Sequence, residues 1–160
     1  MLRLISHSER QTLNLGTRIV RFLGRGDVVC LMGALGSGKT ILVKGMAKGL
    51  GINKDKVISP SFVLIREYLS TGKTKLRIPL YHLDLYRLKN PKELLNLGYE
   101  EYLYGQGICV VEWAERMMGF LPSEFLKIEL NIKDKTQRVI KLIAKGKRYI
   151  RVLGLLETKI

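Results

Sequence analysis

The chain has 160 residues, of which 46% are apolar, and its 28 basic and 14 acidic side chains give a formal charge of +14. That length suggests one domain and leaves no room for a separate substrate domain, and no apolar run approaches the ~20 residues that a membrane-spanning helix needs. The opening, MLRLISHSERQ, turns polar too early for a secretory signal, so the expected compartment is the cytoplasm and no membrane partner is expected. The positive charge invites a nucleic-acid reading, but the lysines and arginines are scattered and no aromatic RNA-binding stretch accompanies them; a solvated lysine-rich surface accounts for them as well. Cys30 and Cys109 each sit inside an apolar run, with no CxxC or Cys/His spacing for zinc, and are expected to be reduced, buried strand residues. A redox pair would require their strands to be adjacent and in register.

Along the chain, Ser6-His7-Ser8-Glu9 fits a capping box, and Leu13, Leu15, Ile19, Val20, Phe22 and Leu23 follow at helical spacing, so the start is predicted as a helix ended by Gly24 and Gly26. Asp27 to Met32 is a short β-branched strand buried on both faces. A glycine loop follows, then a helix from Lys39 to Leu50, stopped by Gly49 and Gly51. Phe62 to Leu69 and Leu76 to Tyr86 are predicted as a hairpin around Ser-Thr-Gly-Lys. Asn90-Pro91-Lys92-Glu93 opens a further helix, with Asn as N-cap, Pro at N1 and Glu at N3, ending near Leu97-Gly98. Tyr99 to Gly105 is a connector. Ile108 to Trp113 is a second apolar strand with a short helical stretch to Met118, and Phe125 to Ile132 and Arg138 to Ala144 form two antiparallel strands around Asp134-Lys135.

The segment Gly33-Ala34-Leu35-Gly36-Ser37-Gly38-Lys39-Thr40 matches GxxxxGK[ST] in full. Each fixed residue has a physical purpose. Glycines let the backbone curl so that successive N–H groups point at phosphate oxygens, and the helix that follows adds the positive end of its dipole. Lys39 supplies a point charge to the β and γ phosphates, and Thr40 offers a hydroxyl to Mg²⁺. The alternative is a glycine-rich strand-to-helix turn with no ligand; the buried strand before the loop and the helix after it argue for the phosphate-binding form.

Such a loop needs a carboxylate opposite it. Glu112 ends the strand Ile108-Cys109-Val110-Val111, where a metal-site acid belongs in an open α/β sheet, although a lone acid after a strand is as often a surface residue. In Tyr81-His82-Leu83-Asp84-Leu85-Tyr86-Arg87, alternation puts His82, Asp84 and Tyr86 on one face. From pattern alone that face is expected to meet water. His82 and Trp113 are expected to be structural, and Arg87 is expected to pair with Asp84.

Taken together these motifs resemble the TsaE (YjeE) family, the ATPases of bacterial tRNA threonylcarbamoyladenosine biosynthesis. The matching segments are GALGSGKT, then Ser59-Pro60-Ser61-Phe62 for SPT-F/Y, His82 to Arg87 for HxDLYR, Gly98-Tyr99-Glu100-Glu101, Val111-Glu112-Trp113-Ala114-Glu115 for VEWxE, and the N-terminal Ser8 to Gly16. The likeness covers roughly residues 6 to 145. Two departures stand out: Ile41 occupies a usual threonine position, removing a hydroxyl within reach of the α-phosphate, and Ser61 replaces the threonine of SPT.

The resemblance implies that Thr40 and Glu112 hold Mg²⁺, that Asp84 is needed for hydrolysis, and that the segment around Glu9 borders the nucleotide. It also implies partnership with TsaB and TsaD homologues, the ATP cycle supporting the complex that modifies A37 of tRNAs decoding ANN codons, with tRNA contacted indirectly or weakly. The expected protein is therefore a single P-loop ATPase domain over residues 1–160, three-layer α/β, with a mixed, mostly parallel sheet and antiparallel edge strands. Its expected site comprises Gly33, Gly36, Ser37, Gly38, Lys39, Thr40, Ile41 and Glu9 for ATP, Thr40 and Glu112 for Mg²⁺, and Lys39 and Asp84 for catalysis. A small-molecule kinase and a nucleotide-gated RNA-binding module are the alternatives; no long arginine-rich lid insertion supports the first, and only charge favours the second.

Overall fold

A computed structural model describes residues 1–69 and 77–158. Seven strands form one mixed sheet: β1 (Leu2–Ser6), β2 (Val28–Met32), β3 (Ile65–Tyr68), β4 (Leu80–Asp84), β5 (Ile108–Glu112), β6 (Phe125–Ile132) and β7 (Arg138–Lys145). Their order is β1-β7-β6-β2-β5-β4-β3. The parallel core is β6-β2-β5-β4, and β1, β7 and β3 pair antiparallel at the two sides. The helices are α1 (Glu9–Ile19), α2 (Lys39–Gly49), α3 (Tyr99–Leu103) and α4 (Lys147–Glu157). β2 and β5 are flanked by strands on both sides and almost wholly buried, which is why both read as unbroken apolar runs. Among the described residues no helix is long and apolar enough to cross a membrane.

Several expectations need correction. The chain opens with strand β1, not a helix, because residues 2–6 pair with β7. The helix is capped by Ser8, whose hydroxyl accepts the Gln11 N–H at 3.2 Å; Gln11 in turn accepts the His7 N–H at 2.7 Å. Ser6 lies in the strand, its hydroxyl 2.8 Å from that of Thr12. The connector expected after Gly98 contains α3, and residues beyond the last strand, for which the sequence reading holds no element, form α4. α4 is fixed at its start by Arg148, which pairs with buried Asp27 at 2.7 Å, and by the Tyr149 hydroxyl, which accepts the Val28 N–H at 2.7 Å.

The segment opened by Asn90 has the full reciprocal capping box but winds as a 3₁₀ helix, Pro91–Leu97, and the stretch after Trp113 is likewise 3₁₀. The hairpin of β3 and β4 is antiparallel, but residues 61–64 form a turn rather than strand; its Ser-Thr-Gly-Lys turn falls outside the described residues. Cys30 and Cys109 are free and buried on neighbouring strands, but Cys109 faces Val28, so they are not directly paired.

Candidate nucleotide site

The glycine loop joins β2 to α2. Gly36 and Gly38 have φ of 76° and 99°, left-handed values that a side chain disfavours, and Gly38 caps α2 with no side-chain bond, leaving the first helical N–H groups free. Lys39 is 4% exposed, yet among the described residues its ammonium donates only to the loop's own carbonyls, Gly33 O at 2.7 Å and Ala34 O at 3.0 Å, and stands 4.0 Å above the Trp113 ring. Burial lowers its pKa; Glu112, then Glu115 and Asp84, pull the other way. A buried cation beside free N–H groups is a receptor for an anion.

The acids lie at the carboxyl ends of the parallel strands. Asp84 and Glu112 face each other across β4 and β5, and Leu31 at the end of β2 faces Glu112. Both acids are 2% exposed and His82 is wholly buried, so of the β4 face only Tyr86, at 38%, meets water as the alternation suggested; the Ser59 and Ser61 hydroxyls lie over Asp84. Thr40 Oγ1 donates to the Glu112 carboxylate at 2.8 and 3.1 Å, and His82 Nε2 lies 2.9 Å from Glu112 Oε1. Asp84 Oδ2 accepts the hydroxyls of Ser59 and, at 2.8 Å, Ser61, while Oδ1 accepts the Tyr86 N–H at 2.9 Å. The expected Asp84–Arg87 pair is not formed: the acid's oxygens are taken, and Arg87 stacks 4.0 Å from the Phe62 ring centre. The Thr40 hydroxyl and Glu112 carboxylate are adjacent hard oxygen donors, with Asp84 in the same cleft. Among the described residues no cluster of three or more His, Cys, Asp or Glu could hold a metal alone. That sparse donor set fits Mg²⁺, which keeps waters and takes the rest of its shell from phosphates.

A cleft of about 550 Å³ unites these groups. Of the residues named from sequence, Glu9, Gly36, Ser37, Gly38, Lys39, Thr40, Ile41, Asp84 and Glu112 line it. Gly33 stands behind the loop, where a Cβ would come within 2.9 Å of Ser37 Oγ. Ser8 and Thr12 line the cleft beside Glu9, in the N-terminal segment expected to border the nucleotide; sequence reasoning missed Lys135, Thr136 and Arg138, and treated Trp113 as packing although its half-buried ring walls the cleft. Arg138 donates to Ser37 O at 3.1 Å and Gly36 O at 3.2 Å, tying the β6–β7 hairpin to the loop. Its turn signal was legible, with Asp134 Oδ1 accepting two backbone N–H groups, but the cleft at its tip was not.

Fold and site thus define a mixed α/β protein with an anion-receptive glycine loop and two buried acids in one cleft. The sequence model of the family described as threonylcarbamoyl adenosine biosynthesis protein TsaE matches residues 6–140. This chain belongs to the TsaE family and to tRNA threonylcarbamoyladenosine biosynthesis. It is 41% identical over 139 residues to the tRNA threonylcarbamoyladenosine biosynthesis protein TsaE of Treponema pallidum, covering 87% of this chain and 98% of that one. It is 44% identical over 128 residues to the TsaE of Bacillus subtilis, covering 80% and 76%. The crystal structure of Bacillus subtilis YdiB superposes with a TM-score of 0.81 at 35% identity, over 99% of this chain and 95% of that one.

Proposed function

We propose that the protein is a slow, Mg²⁺-dependent ATP hydrolase, a single three-layer P-loop domain that works through TsaB and TsaD homologues in the cytoplasm. The observation that carries this reading is the convergence of Lys39, the Thr40–Glu112 pair and Asp84 on one cleft at the N-terminus of α2. Lys39 exchanges the loop carbonyls for β and γ phosphate oxygens, while the free N–H groups of the loop and helix take the remaining charge. Thr40 and Glu112 hold Mg²⁺, which neutralises phosphate charge when bound. Asp84 orients the attacking water once it is freed from part of its hydroxyl shell. Ser61 keeps the hydroxyl that a threonine would offer, and that hydroxyl is in use on Asp84.

The output of so small an ATPase is read by a partner. Ser59 and Ser61 join Asp84 to a surface loop, so loss of the γ-phosphate can alter what that loop presents. The TsaB–TsaD pair is therefore expected to bind more tightly with a non-hydrolysable ATP analogue than with ADP, and tRNA is engaged through that complex. Calorimetry at one salt concentration tests this: equal affinity in the two nucleotide states leaves the cycle no differential binding to use and refutes the mechanism.

A further inference from the structure

His82 lies on β4, two residues before Asp84, and is wholly buried. It does not line the nucleotide cleft. Its Nε2 is 2.9 Å from Glu112 Oε1, and its Nδ1 has no hydrogen-bond partner among the described residues. We propose that His82 is the positioning residue of Glu112, donating Nε2–H to Oε1 so that the carboxylate keeps the rotamer in which it meets Thr40 and the metal. This rests on the reading of Glu112 as a metal ligand.

Three observations support the assignment. First, the hydrogen-bond inventory fixes the tautomer: a proton on Nδ1 would be a buried donor without an acceptor, whereas a proton on Nε2 finds a carboxylate. Second, the bonds Glu112 accepts from Thr40 and His82 are not equivalent. Thr40 lines the cleft in which the metal would sit, so its hydroxyl would be shared between the Glu112 carboxylate and the cation. His82 is buried outside the cleft lining, so its bond does not compete with what the cleft holds and is left to fix a long, otherwise rotatable side chain. Third, β4 and β5 are parallel and in register, with His82 facing Val110 and Asp84 facing Glu112. The donor and acceptor are thus placed by the rigid centre of the sheet, as an outer-shell group must be to orient a ligand.

The test compares Mn²⁺ binding by the ADP-saturated protein, followed by the electron paramagnetic resonance of free Mn²⁺, for the unaltered chain, His82→Phe and His82→Gln. Phenylalanine keeps the ring's volume and loses the donor; glutamine loses the ring but carries an N–H donor where Nε2 stands. His82→Phe is expected to weaken Mn²⁺ binding about tenfold or more and His82→Gln to stay within about threefold of the unaltered protein, the size typical of outer-shell partners. ADP affinity in the presence of a chelator is expected to be the same in all three. A histidine that merely fills space gives the reverse order, since the shape-preserving phenylalanine would then be the milder change. Phenylalanine binding Mn²⁺ as the unaltered protein does, or glutamine binding as poorly as phenylalanine with both folded, overturns the proposal. If His82→Phe does not fold, His82→Asn, whose amide falls one bond short of Glu112, replaces it in the comparison with glutamine. Failure of the underlying reading is distinguishable: an unaltered chain that binds no Mn²⁺ with ADP overturns the metal site and this inference together.

Discussion

Replacing Gly45 by alanine tests how α2, and with it the glycine loop, is held. α1 and α2 cross where Gly16 and Gly45 meet, with the Thr17 hydroxyl bonded to Gly45 O at 3.0 Å. A Cβ on Gly45 would lie 2.8 Å from the carbonyl carbon of Leu13, closer still to its oxygen, and 3.1 Å from the Gly16 Cα. Comfortable carbon–carbon separations are about 3.5–4.0 Å, so the helices would have to part by about 1 Å. All three opposing atoms are backbone and cannot rotate aside. Overpacking of this kind costs about 3 kcal/mol, and alanine returns about 1 kcal/mol of helix propensity, for a net loss of about 2 kcal/mol. For a chain of this size that lowers the melting midpoint by about 6 °C. Gly154 in α4 is the internal control: a Cβ there meets nothing within 4 Å, and Gly154→Ala is expected to raise the midpoint by about 3 °C. Thermal melts followed by circular dichroism, with and without ADP, measure both. Because α1 brings Ser8, Glu9 and Thr12 to the cleft and α2 brings Lys39 and Thr40, Gly45→Ala is also expected to bind ADP less tightly. A Gly45→Ala protein that melts at or above the unaltered midpoint refutes the packing argument.

Lys39→Ala is expected to fold normally and to lose ATP affinity by about a hundredfold, because on the proposed reading the side chain exchanges its loop carbonyls for phosphates; unchanged affinity by calorimetry removes the site assignment. Glu112→Gln is expected to weaken Mg·ATP binding, and Asp84→Asn to lower kcat about a hundredfold at nearly unchanged nucleotide affinity; normal hydrolysis by both makes the acids structural. Arg138→Ala is expected to loosen the glycine loop and weaken ADP binding about tenfold, read by titration, since Arg138 alone ties the loop to the β6–β7 hairpin through Gly36 O and Ser37 O among the described hydrogen bonds. Burial pushes the Cys30 and Cys109 thiols well up, so neither is expected to react with iodoacetamide at pH 8 until the chain unfolds; rapid alkylation of the folded protein contradicts their placement in the sheet.

The features legible in the sequence are those whose causes are local. Gly36, Gly38 and the GKT that opens α2 form a unit because positive φ and a free helix start are properties of a few consecutive residues. The reciprocal cap of Asn90 and Glu93 is equally local and appears as read, though the segment it opens tightens to 3₁₀. The unbroken apolar runs of β2 and β5 reported their burial directly. Other features depend on residues far away in the chain. Leu2–Ser6 is a strand only because β7 offers it an edge, and without that partner Ser6 reads equally well as a helix cap. His82 and Asp84 alternate like a wetted strand face, and the chain carries no local mark that β5 will set Glu112 beside them. Trp113 and Arg138 reach the cleft through a left-handed turn after β5 and through the hairpin between β6 and β7. A backbone conformation is chosen within a turn or two of chain, so its residues announce it; a site assembled from the ends of β2, β4, β5 and β6–β7 exists only once strand order and register are set, and those are decided by the burial of the whole sheet.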